Sequence, residues 1–149
     1  MAIPVLIIGK SGSGKSASLR HFNPADVAVI NVLGKRFPFP GRLDVALTDD
    51  YGRALNAVRK TKRQAIVIDD AGYLIMNQFM RGHANAGAGN AIFSFYNQIA
   101  DNYWRLIDEV IALEGDKRVY FVMHEERNDL GDVKPKTVGK LLDEKICIE

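Results

Sequence analysis

Gly9, Gly14, Lys15 and Ser16 fall in the spacing G-x-x-x-x-G-K-[ST], inside the stretch GKSGSGKSA that runs from Gly9 to Ala17. Each residue type has a task if the ligand is a chain of phosphates. Phosphate oxygens need several donors converging at short range, and side chains would obstruct that approach. Gly9, Gly12 and Gly14 remove the obstruction, so the backbone N–H groups of Ser11, Ser13 and the residues up to Ala17 can turn inward. Lys15 would reach the β- and γ-phosphates, and the Ser16 hydroxyl would coordinate Mg²⁺. The bland alternative is a glycine-serine turn with an exposed lysine. At average glycine usage such a spacing arises by accident in a chain of this size on the order of 1% of the time. Lys10 reads as a solvated loop residue rather than a second phosphate contact.

Three further residue groups could serve the same ligand. Asp69 and Asp70 close the apolar run AIVI, and Asp69 is the candidate second anchor for the metal, directly or through water. Asp70 is the candidate base that orients an attacking water, with Glu125 as its rival. Either acid could equally be a surface group. His124 follows the apolar run RVYFVM and is a candidate sensor of the terminal phosphate, although a lone histidine is usually structural. His21 and His83 have no partner at ligand spacing. Cys147 is the single cysteine, which rules out an intrachain disulfide and a cysteine cluster for zinc.

These residues must be delivered by elements that end at one place. Ile3 to Ile8 is almost wholly apolar, as a strand covered on both faces should be, and it leads straight into the glycine loop. KSASLRHF then reads as a helix stopped at Asn23-Pro24, and Val27 to Val32 as a second strand. Val45 to Leu47 adds at most a short extended piece. Thr48 is positioned to cap a helix that carries Asp49 and Asp50 in its first turn. Ala65 to Ile68 is the third strand. Met80 to Asn90, rich in glycine and alanine, reads as a mobile surface loop. From Ile92 to Val110 apolar residues recur at three- and four-residue steps, which predicts a long helix. Arg118 to Met123 is the fourth strand, followed by the polar HEERNDLGDVKPK and a short helix around Val138 to Glu144.

Strands alternating with helices predict an α/β fold with an open, mainly parallel sheet and helices on both faces. In such sheets ligands sit beyond the carboxyl ends of the strands. The glycine loop, Asp69-Asp70 and His124-Glu125 all occupy that position. The 149 residues are expected to form a single nucleotide-binding domain, 1–149, possible C-terminal elements aside. A formal charge of +2 is too small to imply nucleic acid by itself. The apolar start is too short for a signal peptide or a membrane span, so a cytoplasmic protein without membrane contact is expected.

GKSGSGKS, AIVIDDAG and YFVMHEE resemble the Walker A, Walker B and sensor segments of RecA-like and AAA-type P-loop ATPases, and more closely those of bacteriophage-encoded ATP-binding proteins linked to DNA recombination and replication. The resemblance covers most of the chain, and Walker A is its specific part. It implies ATP and Mg²⁺ as cofactors, ATP hydrolysis, a sheet in the order 5-1-4-3-2 with a fifth strand near KICIE, and a homo-oligomer completed by an arginine in trans. Arg81, Arg105, Arg118 and Arg127 are the available arginines for that role. It also implies single-stranded DNA as a partner, bound by loops at about 72–90 and 124–136. Arg81, Arg127, Lys134 and Lys136 could meet phosphates there, and Phe79 could stack on a base. Glu125, Glu126, Asp129 and Asp132 oppose a polyanion in the second loop. Asp70 stands where many ATPases carry a glutamate, one methylene longer. The competing classes are a nucleoside or nucleotide kinase with Arg36 and Arg42 in a lid, a GTP switch suggested by D-x-x-G at Asp69 but lacking N-K-x-D, and a module that binds ATP with little turnover.

Overall fold

The structure, a computed structural model, describes residues 1–139 and Leu142. Its strands are β1 (Ile3–Gly9), β2 (Val27–Asn31), β3 (Asp44–Leu47), β4 (Ala65–Asp69), β5 (Arg118–Arg127) and β6 (Val133–Pro135). Three α-helices are interleaved with them: α1 (Tyr51–Lys60), α2 (Gly72–Gly82) and α3 (Asn90–Ile111). Short 3-10 segments cover Ser16–His21 and His83–Asn85. The strands lie in the order β1-β5-β4-β2-β3, each neighbour parallel, and β6 pairs antiparallel with the end of β5. The α/β class and the mainly parallel sheet therefore follow the alternation read from the sequence.

The strand order departs from 5-1-4-3-2. Asp44–Leu47 is a full edge strand, placed outside β2 with Ala28 to Asn31 as its partners. An antiparallel strand is added at β5. The four strands read from the apolar runs do lie as first, fourth, third and second across the sheet. The expected terminal strand at KICIE and most of the helix expected over Val138 to Glu144 lie outside the described residues.

Period-two alternation splits the core into two layers. Ile66 and Ile68 of β4 face the three α-helices and pack with Leu74, Ile75, Ile99, Tyr103 and Phe121. Ala65 and Val67 face the other way, against Leu19, Phe22 and the loop residues Phe37 and Phe39. Among the described residues that second face is covered by the Ser16–His21 segment and an irregular loop, not by α-helices as expected. Val27, Val67 and Val58 have no exposed surface, so each layer holds fully buried side chains. Burial holds the Tyr103 phenol protonated well above its ordinary range, and its hydroxyl donates to the Met123 thioether at 3.1 Å.

Local signals account for the remaining differences. Asp50, not Thr48, caps α1: its carboxylate accepts from the Arg53 N–H at 2.8 Å, while the Thr48 hydroxyl accepts from Asp50 N–H at 3.1 Å. The segment expected as a mobile loop from Met80 is helical through Gly82, because α2 buries Leu74 and Ile75 and stacks Phe79 on Phe95 and Tyr96 of α3. β5 runs four residues past Met123, so His124 and Glu125 belong to a strand that turns back into β6. No helix among the described residues is long and apolar enough to cross a membrane.

Candidate functional site

β1 delivers the glycine loop beside β5, with Gly9 in register with His124. Gly9 is buried, and a Cβ there would stand 2.9 Å from the Ser13 hydroxyl, so a larger residue would require the Ser13 side chain to turn away. Gly12 and Gly14 have φ of +75° and +91°, a left-handed backbone that side chains disfavour, and open space surrounds both. Ser11, Gly12, Ser13 and Gly14 are exposed, whereas Lys15, Ser16 and Ala17 are half-buried beneath them. The Lys15 ammonium folds back to donate to the carbonyls of Gly9 at 2.7 Å and Lys10 at 2.6 Å. Burial lowers its pKa from the ordinary value, against the opposing pull of Asp70, Asp69 and Glu125. The segment after the loop, Ser16–His21, is a six-residue 3-10 turn where an α-helix was expected.

β4 places Asp69 across from this loop. The Ser16 hydroxyl donates to Asp69 Oδ1 at 2.9 Å, which joins two residues 53 positions apart. Asp69 is 3% exposed, and burial raises its pKa while the Ser16 hydrogen bond partly offsets that rise. Two oxygen ligands side by side in a half-buried setting suit a magnesium ion, which binds one or two protein oxygens and completes its shell with phosphate and water. Among the described residues no three His, Cys, Asp or Glu side chains converge on a cation. Ser16 and Asp69 are the residues here that could share a cation.

Asp70 sits where β4 turns into α2, with φ of +57°. It is 5% exposed and already engaged: Lys35 Nζ lies 3.0 Å from Oδ2, and His124 Nε2 lies 3.5 Å from Oδ1. Lys35 also stands 5.8 Å above the Tyr73 ring, and Tyr73 meets the His124 ring edge-on. Between the loop, α2 and β5 opens a cleft of about 420 Å³ lined in part by Lys10, Ser11, Lys35, Tyr73, His124 and Glu125. Lys10 is exposed at its mouth, consistent with the solvated reading. Burial lowers the His124 pKa from 6.5, and Lys15 beside it acts in the same direction.

That lowered value has a testable sign. A histidine harder to protonate when folded contributes stability that is complete above the unfolded value near 6.5 and is lost as pH falls through the lower folded value. Thermal unfolding followed from about pH 8 to about pH 5 should therefore show a steeper loss in the wild type than in His124→Asn. Asp70 opposes that lowering, while Lys35 and Lys136 add to it as Lys15 does.

Of the residues expected to meet DNA, Lys136 lines the cleft, and the others make contacts within the chain. Arg81 pairs with Asp49, Arg127 lies 3.8 Å from Glu125, and Lys134 lies 3.5 Å from Glu126. Phe79 is packed between His83, Phe95 and Tyr96. Of the candidate arginines in trans, Arg105 and Arg118 are exposed with no ion pair among the described residues.

Sequence reading missed Lys35 and Asn31. Asn31 ends β2 in register with Asp69 and is 2% exposed; it donates to the Lys35 carbonyl at 2.7 Å and accepts from Gly34 N–H at 2.9 Å. A polar residue closing the apolar run VAVIN, at the same sheet edge as the other polar clusters, was the available signal. No family model matches the chain, and a search of curated proteins finds no match to it.

Proposed function

We propose that this chain is a P-loop protein of the RecA-like and AAA-type class that binds Mg·ATP and hydrolyses it. The observation that carries this reading is the 2.9 Å contact between Ser16 and Asp69, because it joins the end of the glycine loop to the carboxylate that the motif requires. A glycine-serine turn with a stray lysine gives no reason for such a pairing.

In this reading Gly9 to Ala17 cradle the phosphates with backbone N–H groups, and Lys15 exchanges its two carbonyl acceptors for phosphate oxygens. Ser16 and Asp69 would hold Mg²⁺, whose charge offsets that of the phosphates. Asp70 or Glu125 accepts a proton from the attacking water, and His124, in register with Gly9, stands where it can follow the state of the terminal phosphate. The arrangement needs little covalent chemistry from the protein, since phosphoryl transfer is governed by positioning and charge. Assembly into a homo-oligomer and coupling to DNA in recombination or replication of a phage type extend the reading from the resemblance.

A second reading, an ATP-binding module with little turnover, is favoured by the engagement of Asp70 with Lys35. Calorimetry with Mg·ATP and Mg·ADP tests the binding that both share, and absence of heat with folded protein would remove both. Phosphate release with and without single-stranded DNA then separates them: turnover supports the ATPase, and binding without release supports the module.

A further inference from the structure

Lys35 is held in an unusual way for a lysine on an irregular loop. Buried Asn31 donates to its carbonyl and accepts from the N–H of the preceding Gly34, and Gly34 has φ of +68°. Its side chain remains 58% exposed and lines the same cleft as Lys10 and Ser11 of the glycine loop. The backbone is therefore fixed, while the side chain that carries the ammonium to Asp70 is largely open to the cleft. Its partner Asp70 is a buried carboxylate.

Two anions can claim this ammonium in turn. Without ligand Asp70 holds it. A terminal phosphate entering from the loop side carries more charge and offers more acceptor oxygens than one carboxylate. We propose that Lys35 is the residue that distinguishes a nucleoside triphosphate from a diphosphate, moving from Asp70 to the terminal phosphate and leaving the carboxylate without its cation. The proposal rests on the nucleotide-site reading above and adds to it a specificity residue, with Asn31 as its positioning residue. The bland account is that Lys35 only neutralises Asp70 for the sake of folding. That account predicts no difference between the two nucleotides.

Calorimetry on four proteins decides: the wild type, Lys35→Met, Asp70→Asn and the double variant, each with Mg·ATP and Mg·ADP. Asparagine tolerates the left-handed backbone at position 70, so that substitution removes charge without forcing the corner. Lys35→Met should weaken Mg·ATP about tenfold, the order expected for a lost charge-assisted contact, and leave Mg·ADP within about twofold. Asp70→Asn should tighten Mg·ATP severalfold by removing the competitor. Because loss of a negative charge could tighten binding by itself, the double variant is the control: the gain should vanish when Lys35 is absent. Equal weakening of both nucleotides in Lys35→Met, or a gain that survives in the double variant, would overturn the proposal and leave the nucleotide site standing. No binding of either nucleotide by the wild type would overturn the site itself, and this role with it.

Discussion

Lys15→Ala should lose Mg·ATP affinity by roughly 10²–10³-fold, because two charge-assisted contacts of about 1.5–3 kcal/mol each disappear, less what the lysine now gains from two carbonyls. Of the two carbonyls that Lys15 now satisfies, that of Lys10 is on an exposed residue and can pair with water, so the cost to folding is confined to one lost donor at the buried Gly9. The unfolding midpoint should accordingly move little. Calorimetry and a thermal melt on the same sample separate the two effects. Binding retained at the wild-type level would show that the loop does not hold phosphates through this residue.

The second large effect lies at Asp69 and runs in opposite directions for function and stability. Asp69→Asn keeps an acceptor for the Ser16 hydroxyl but removes the negative charge on the metal side, and turnover should fall by about 10²–10³-fold, the size typical of losing one fixed electrostatic contact in a transition state. Stability should rise. Burial raises the Asp69 pKa above its ordinary 3.8, so the ionised carboxylate is less comfortable in the folded chain than in the unfolded one. That penalty is absent below the unfolded value and complete above the folded one. The amide, which never ionises, should therefore melt higher than the wild type at neutral pH, and the difference should close as pH falls toward about 3.8. A variant that melts lower at neutral pH would mean that Asp69 is retained for folding rather than for a cation.

The legible part of this protein is the part written in unbroken apolar runs. Val27 to Val32, Ala65 to Ile68 and Arg118 to Met123 appear as strands because a sheet covered on both faces leaves them little polar side, whereas Ile3 to Ile8 forms β1 but is only half-buried, not covered on both faces as expected. The carboxyl-end rule then placed Gly9 to Ser16, Asp69, Asp70 and His124 at one edge, and the structure brings them together. Helix α2 was not legible: GYLIMNQFMRG opens and closes on glycine and leads into more glycines, and only its packing on α3 shows why it is helical. β3 was legible only as a short extended piece at Val45 to Leu47, because four residues carry too little periodicity, and its full strand character comes from pairing with β2. Lys35 was hidden for another reason. Its position depends on Asn31 and on a turn 35 residues away in sequence from Asp70, and no local pattern reports such a distance.

The corner at Asp70 bears on which acid the chain can use there. A left-handed residue between a strand and a helix restricts the choice to glycine and the short Asx side chains, which bond locally and tolerate that hand of backbone. A glutamate would extend farther into the cleft but would pay in torsional strain at every moment the protein is folded. Reach and chirality are thus in conflict at one position, and the shorter acid resolves it. A chain with glutamate here would need its polypeptide to round the bend by some other path.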